Sequence, residues 1–74
     1  MSQPIDKKAI YSMRYTKGTK LILTADLDDT YKPNKVGDIF IVDHVDDALQ
    51  LHGKWLSGGS MALIIEKDSF EIVP

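Results

Sequence analysis

The chain has 74 residues, no cysteine, 43% hydrophobic residues and a formal net charge of −2. It is therefore one small domain at most, without disulfides or cysteine-ligated zinc, and it is less basic than most proteins that bind nucleic acids. No apolar run approaches the roughly 20 residues of a membrane span, and no signal peptide follows Met1, so we expect a cytoplasmic protein. A buried catalytic pocket is hard to build at this size, so we predict no enzyme, no cofactor and no metal site.

Charge is distributed unevenly along the chain. Residues 1–37 carry a net charge of +3, whereas residues 38–74 carry −5. Such a split is compatible with a basic face for an anionic partner, and equally with two halves that attract each other within one fold.

The first predicted element is a helix over residues 4–14. Asp6 near its start and Arg14 at its end complement the helix dipole. An isolated helix this short is marginal in water, so it must dock on the rest of the domain. The apolar residues at four-residue spacing, which predict the docked face, are Ile5, Ala9 and Met13.

From residue 20 onward the pattern is that of β-strands. Strands are predicted at residues 20–25, 38–46, 49–55, 60–67 and 71–73. They are connected by a long polar loop at 26–37, tight turns at 47–48 and 56–59, and a one-turn break at 68–70. The Ile-Phe-Ile-Val run within the second strand is apolar on both faces, which predicts a strand covered on both sides.

This order of elements predicts a mostly β fold, namely a small five-stranded SH3-like barrel with a short N-terminal helix. Residues 1–16 would form the leader and helix, and residues 17–74 the barrel. The alternative is an open five-stranded meander with the helix across one face.

Several short motifs also resemble one family. In chain order they are Y-x-K-G-T-K at residues 15–20, D-D-x-Y-x-P at 28–33, V-D-D at 45–47, Q-L-H-x-K-W at 50–55, S-M-A-L-I at 60–64 and D-S-F at 68–70. The chain resembles a domain-of-unknown-function family of short proteins from phages, prophages and conjugative elements of Gram-positive bacteria. The resemblance implies a small SH3-like (KOW- or Tudor-type) barrel with an accessory role, and it implies no particular activity.

Two turns depart from the family pattern. The turn after Val45 usually contains glycine in the family, and here it contains Ala48 and Leu49. The hairpin after the tryptophan is usually Asp-Asn-Gly, and here it begins with Leu56. We therefore expect Leu56 either to belong to a contact surface or to fold back onto the domain.

The polar candidates for a site predict ordinary structural roles. Asp26, Asp28 and Asp29 lack the ligand spacing of a calcium loop, and an Asp pair in such a segment typically caps a turn. His44 and His52 fall on consecutive strands, where an exposed cross-strand pair is the expected arrangement, because zinc needs further ligands.

Aromatic and acidic residues near the long loop predict a contact surface. In peptide-binding SH3 domains, aromatic side chains beside this loop form a groove, and acidic residues recognise a basic residue of the peptide. A second interpretation of Trp55 is that it closes the core. The predicted partner-binding residues are Asp28, Asp29, Tyr31, Trp55 and Leu56.

We therefore expect a non-enzymatic accessory binding module of a phage or mobile element, which acts by contact with a protein partner or a second copy of itself, and not with a membrane. The alternative is a KOW-like nucleic-acid-binding protein. Its candidate residues are Lys7, Lys8, Arg14, Lys17 and Lys20. A third hypothesis is that an oligomer sequesters a small anionic ligand.

Overall fold

A computed structural model of the chain describes residues 6–27, 34–59 and 62–74. The elements in chain order are the helix α1 (Lys7–Arg14) and the strands β1 (Lys20–Leu23), β2 (Ile39–Val45), β3 (Gln50–Trp55), β4 (Leu63–Ile64) and β5 (Phe70–Ile72). The described strands form one open antiparallel sheet in the order β4-β3-β2-β1-β5. The prediction of a mostly β fold with a short N-terminal helix is confirmed, and the sheet is open rather than closed.

One face of the sheet, here called the inner face, carries the hydrophobic core. The buried apolar residues of the core are Leu21, Leu23, Leu27, Phe40, Val42, Val45, Leu51, Trp55 and Leu63. Phe40 and Trp55 are partners in register, and their rings meet edge-to-face with centroids 4.9 Å apart. Packing beside them is close, because a Cβ on Gly53 would meet the Ile41 carbonyl and the Phe40 ring.

A bulge in β2 determines which of its side chains enter the core. Val42 pairs with Gly53 and His44 pairs with His52, so Asp43 is an extra residue in β2. Because an extra residue reverses the alternation of side chains, Val45 lies in the core after the bulge and His44 is exposed.

The prediction that this strand is covered on both sides is wrong. Ile39 and Ile41 alternate with the buried Phe40 and Val42, and they remain only partly buried on the opposite face. The remaining element, α1, packs against the core on the inner side, so nothing in the described residues fully covers these isoleucines.

A four-residue turn joins β2 to β3 around the carboxylate of Asp46. Its Oδ1 accepts hydrogen bonds from the N–H groups of Ala48 and Gln50, both at 2.9 Å. Leu49 has a positive φ of 60°, a conformation that glycine adopts far more readily than leucine. Leucine rather than glycine at this position therefore leaves a strained backbone at Leu49.

Helix α1 docks against the core through two tyrosines. Asp6 caps the helix by accepting the N–H of Ala9 at 3.1 Å. Tyr11 and Tyr15 are one helical turn apart and pack against the core, and the ring of Tyr15 meets that of Phe70 at 5.7 Å. The four-residue spacing that determines docking is thus that of the tyrosines.

The predicted docked face of the helix is therefore wrong. Ala9 is exposed and Met13 is 81% exposed, whereas Ile5 lies outside the described residues. A tyrosine contributes more contact area than an alanine, and its hydroxyl can remain at the surface, so the tyrosine side faces the core.

Along the described residues, no helix is long and apolar enough to cross a membrane.

The fourth strand is shorter than predicted. Residues 60–61 lie outside the described part of the chain, and β4 ends at Ile64 rather than at residue 67. The Asp68 carboxylate accepts the Ile64 N–H, and the Asp68 N–H donates to the Ile64 carbonyl, both at 2.8 Å. These two bonds turn the chain immediately after Ile64 and end the strand.

Candidate functional site

The face of the sheet opposite the core carries apolar and cationic side chains in two rows. Lys20 of β1, Ile41 of β2 and Lys54 of β3 are partners in register and form one row across three strands. Ile22 of β1 and Ile39 of β2 form the neighbouring row. The isoleucines of both rows are partly exposed, and the two lysines of the first row are exposed.

Leu56 continues the isoleucine row beyond the end of β3. Its N–H donates to the carbonyl of Ile39 at 2.9 Å, and its side chain is 64% exposed. We define the outer face as Lys20, Ile22, Ile39, Ile41, Lys54 and Leu56. The outer side of an antiparallel sheet is usually polar, so an exposed leucine beside three isoleucines is a candidate contact surface.

An open pocket of about 530 Å³ adjoins the outer face. It shares Ile41 and Lys54 with that face and lies over the bulge in β2. Its other polar or charged lining residues are Lys17, Asp43 and His52. The pocket therefore extends the outer face toward the β2–β3 turn.

Two histidines bound the pocket end of this surface. The rings of His44 and His52 stack with centroids 4.7 Å apart and planes 7° from parallel. His44 Nδ1 is 2.7 Å from the Asp43 carboxylate, and His52 Nε2 is 2.7 Å from that of Asp46. Each hydrogen bond lowers the pKa of its aspartate below the ordinary value.

This arrangement is the predicted cross-strand polar pair. Stacked parallel rings do not direct their nitrogen lone pairs at one point, so they do not form a chelating site. Within the described residues, no group of three or more histidine, aspartate or glutamate side chains is placed to hold a metal ion.

The predicted partner-binding residues have different positions. Trp55 is 4% exposed and belongs to the core, in agreement with its second interpretation, whereas Leu56 lies on the outer face. Asp28, Asp29 and Tyr31 lie outside the described residues. Of the predicted partner-binding residues that the structure describes, Leu56 is therefore the exposed one.

Asp26, at the start of the predicted loop, has the turn-capping role expected for it. Its Oδ1 accepts the backbone N–H of Val36 at 2.8 Å, across the loop. The carboxylate is thus used to hold the loop ends, which is the role that Asp residues commonly have in turns.

The residues of the nucleic-acid alternative are dispersed and mostly paired. The ammonium groups of Lys7, Lys8 and Lys17 lie 3.1, 2.6 and 3.8 Å from the carboxylates of Glu66, Asp47 and Asp43. Each of these pairs joins the basic half of the chain to its acidic half. Arg14 lies 6.0 Å from the ring centre of Tyr11, and Lys20 belongs to the outer face.

Sequence reasoning did not identify the isoleucines as surface residues. The signal was present, because the run Ile39-Phe40-Ile41-Val42 is apolar at both odd and even positions. It was interpreted as a strand covered on both sides. Local sequence does not distinguish such a strand from one whose second apolar face is left for a partner.

These features define a small, mostly β domain with one docked helix and a partly apolar outer face. The model of the family described as Domain of unknown function (DUF4314) matches residues 7–73, and the chain belongs to this family. The match includes the helix and all five strands. Comparisons with curated proteins and with solved structures find no significant match.

Proposed function

We propose that this protein is a non-enzymatic binding module that contacts a protein partner through the outer face of its sheet. The observation that carries the proposal is the exposed Leu56 beside the partly exposed Ile22, Ile39 and Ile41. Leaving these side chains in water has a free-energy cost of about 25 cal/mol per Å² of apolar surface. Covering them with a partner recovers that cost.

The contact residues of the polar loop belong to the same proposal. Asp28, Asp29 and Tyr31 remain predicted contacts. Trp55 is not proposed as a contact residue, because its side chain is part of the core. Its role is to position the next residue, Leu56, at the end of the outer face.

The fold proposed for this module is the SH3-like one. Three features support it: the meander of β2, β3 and β4, the return of the last strand to pair with β1, and a bulge that bends β2. We also propose an accessory role in a phage or mobile element, which the family resemblance implies.

A capture experiment with matched variants tests the binding surface. The tagged protein carrying Ile39→Ser and Leu56→Ser is compared with the wild type for proteins retained from host lysate. We expect the retained partner to be lost, because both substitutions remove apolar contact area from the outer face. Thermal unfolding of the variant verifies that it remains folded.

The control carries Ile10→Ser and Met13→Ser on α1, two exposed apolar residues away from the outer face. This variant should retain the partner at the wild-type level. Partner retention by the outer-face variant, or equal loss in both variants, would contradict the proposed surface.

A further inference from the structure

Within residues 6–27, 34–59 and 62–74, the two lysines of the outer face form no ion pair. Lys20 and Lys54 flank Ile41 in one row, and in the described part of the chain neither ammonium lies within 4.0 Å of a carboxylate. By contrast, Lys7 and Lys8 are each held by a carboxylate from the other half of the chain. The outer face therefore has unneutralised positive charge beside its apolar residues.

Two of the nearby carboxylates, those of Asp43 and Asp46, are already used within the domain. Asp43 interacts with His44 and with Lys17, and Asp46 accepts bonds from His52 and from two backbone N–H groups. Asp46 is thereby held within the β2–β3 hairpin, whereas the Asp43 carboxylate is shared between His44 and Lys17. Glu71, the partner of Ile22 in β5, is the acidic residue at the far edge of the isoleucine row.

The adjoining pocket places a third cation near the same row. Lys17 lines it together with Ile41 and Lys54, and the Lys17 side chain is 82% exposed despite its pair with Asp43 at 3.8 Å. Exposed pairs of this kind contribute little, so Lys17 is available to an incoming anion.

From this juxtaposition we infer that the partner presents an acidic and apolar peptide segment to the outer face. Its apolar side chains would cover Ile22, Ile39 and Leu56, and its carboxylates would bind Lys20 and Lys54. The inference rests on the proposed function and adds the chemistry of the partner. Charge complementarity of this kind sets partner choice and association rate.

A peptide fits this surface better than a nucleic acid. Proteins that bind single strands stack the bases on aromatic side chains, whereas the apolar members of the outer face are aliphatic. The aromatic residues Tyr11, Tyr15 and Trp55 pack against or within the core on the inner side. An oligonucleotide is therefore a comparison ligand in the test.

The test titrates the protein with a fluorescent peptide of about ten residues, roughly the length that spans the sheet, built from glutamate, leucine and serine. Two further probes are the same peptide with lysine in place of glutamate, and an oligothymidine of similar length. Of the three probes, we expect only the acidic peptide to bind saturably. The binding should weaken as salt is raised from about 50 to 300 mM, because exposed charges are screened.

Charge-reversal variants locate the binding. Lys20→Glu with Lys54→Glu should weaken binding of the acidic peptide by roughly tenfold or more, since attraction becomes repulsion at two positions. The matched control is Lys35→Glu with Lys67→Glu, which makes the same change in net charge at two exposed lysines elsewhere. The control should bind within about twofold of the wild type.

The two proposals fail separately. If the protein captured from lysate depends on Ile39 and Leu56 but is retained by Lys20→Glu/Lys54→Glu, the binding surface stands and the acidic segment is wrong. Tighter binding of the lysine peptide or the oligonucleotide, or equal loss in both charge-reversal variants, also overturns the acidic segment.

Discussion

Both faces of the sheet carry large apolar side chains, but these side chains are buried on the inner face and partly exposed on the outer face. On β2, Phe40 and Val42 point to the inner face and are buried, whereas Ile39 and Ile41 point to the outer face and stay partly exposed. On β3, Trp55 lies in the core and the next residue, Leu56, is 64% exposed. Neighbouring apolar residues therefore have opposite environments along both central strands.

This difference shows which apolar residues hold the fold. The inner face is covered by loop residues and by the tyrosines of α1, so removing a side chain there leaves a cavity. The isoleucines of the outer face are partly exposed, so removing a side chain there loses less packing than on the inner face. The inner face should control stability, and the outer face should control binding.

The largest expected effect on stability comes from a substitution in the core at the inner face. Phe40→Ala should lower the free energy of unfolding by about 3–5 kcal/mol, because Phe40 is fully buried against Trp55. A domain of this size has only about 5 kcal/mol to lose, so the variant should retain at most about 2 kcal/mol of stability. Urea titration followed by tryptophan fluorescence measures the change.

The adjacent Ile41→Ala is the matched control for that variant. Its side chain lies on the outer face, so we expect a loss below about 1.5 kcal/mol together with weaker partner capture. A loss as large as that of Phe40→Ala would show that the outer face is covered within the domain. That result would remove the contrast between the two faces.

An intermediate effect is expected at the turn that determines which β3 residues face inward. Leu49→Gly should raise the free energy of unfolding by about 1 kcal/mol, because glycine adopts a positive φ without the steric cost that leucine has. Ala48→Gly places the same residue one position earlier and should lower stability by about 0.5–1 kcal/mol. If both variants lower stability equally, Leu49 is not strained.

The smallest effect should come from the polar end of the outer face. Hydrogen bonds to His44 and His52 lower the pKa of Asp43 and Asp46 below 3.8. A lowered pKa means that the folded state binds fewer protons than the unfolded state. Stability is therefore complete above the ordinary value and falls as the pH drops through it toward the folded pKa.

Urea titrations between about pH 6 and pH 3 measure this slope. Asp46→Asn should flatten it, because the amide oxygen still accepts the N–H groups of Ala48 and Gln50 but has no charge to lose. An unchanged slope in this variant would mean that the Asp46 carboxylate contributes no pH-dependent stability.

Much of the fold could be predicted because short-range patterns encode it. The alternation of Leu49, Leu51, Gly53 and Trp55 with polar residues predicts a half-buried strand, and β3 begins one residue later, at Gln50. Glycine in the hairpin predicts the end of that strand. The helix is predicted for residues 4–14, and it begins at Lys7, directly after its capping residue Asp6. The docked side of the helix was not predicted, because the contact area of Tyr11 and Tyr15 outweighs the four-residue repeat of smaller side chains.

The candidate site was less predictable. Leu56 was identified because an apolar residue at a hairpin is unusual. The pairing of Lys20 and Lys54 around Ile41 joins positions 20, 41 and 54, which are far apart in the chain. Such a row depends on strand register, and a slip of one residue would turn each of these side chains to the other face.

The sequence by itself determined that this chain has a mostly β fold with five strands, a short N-terminal helix and a turn between β2 and β3. Those features depend on residues close together in the chain. The tertiary structure alone decided that Trp55 belongs to the core, that Asp43 is an extra residue in β2, and that Lys20 and Lys54 flank the partly exposed Ile41. These outcomes depend on which strands pair and on what covers each face, and both are set by contacts between distant residues.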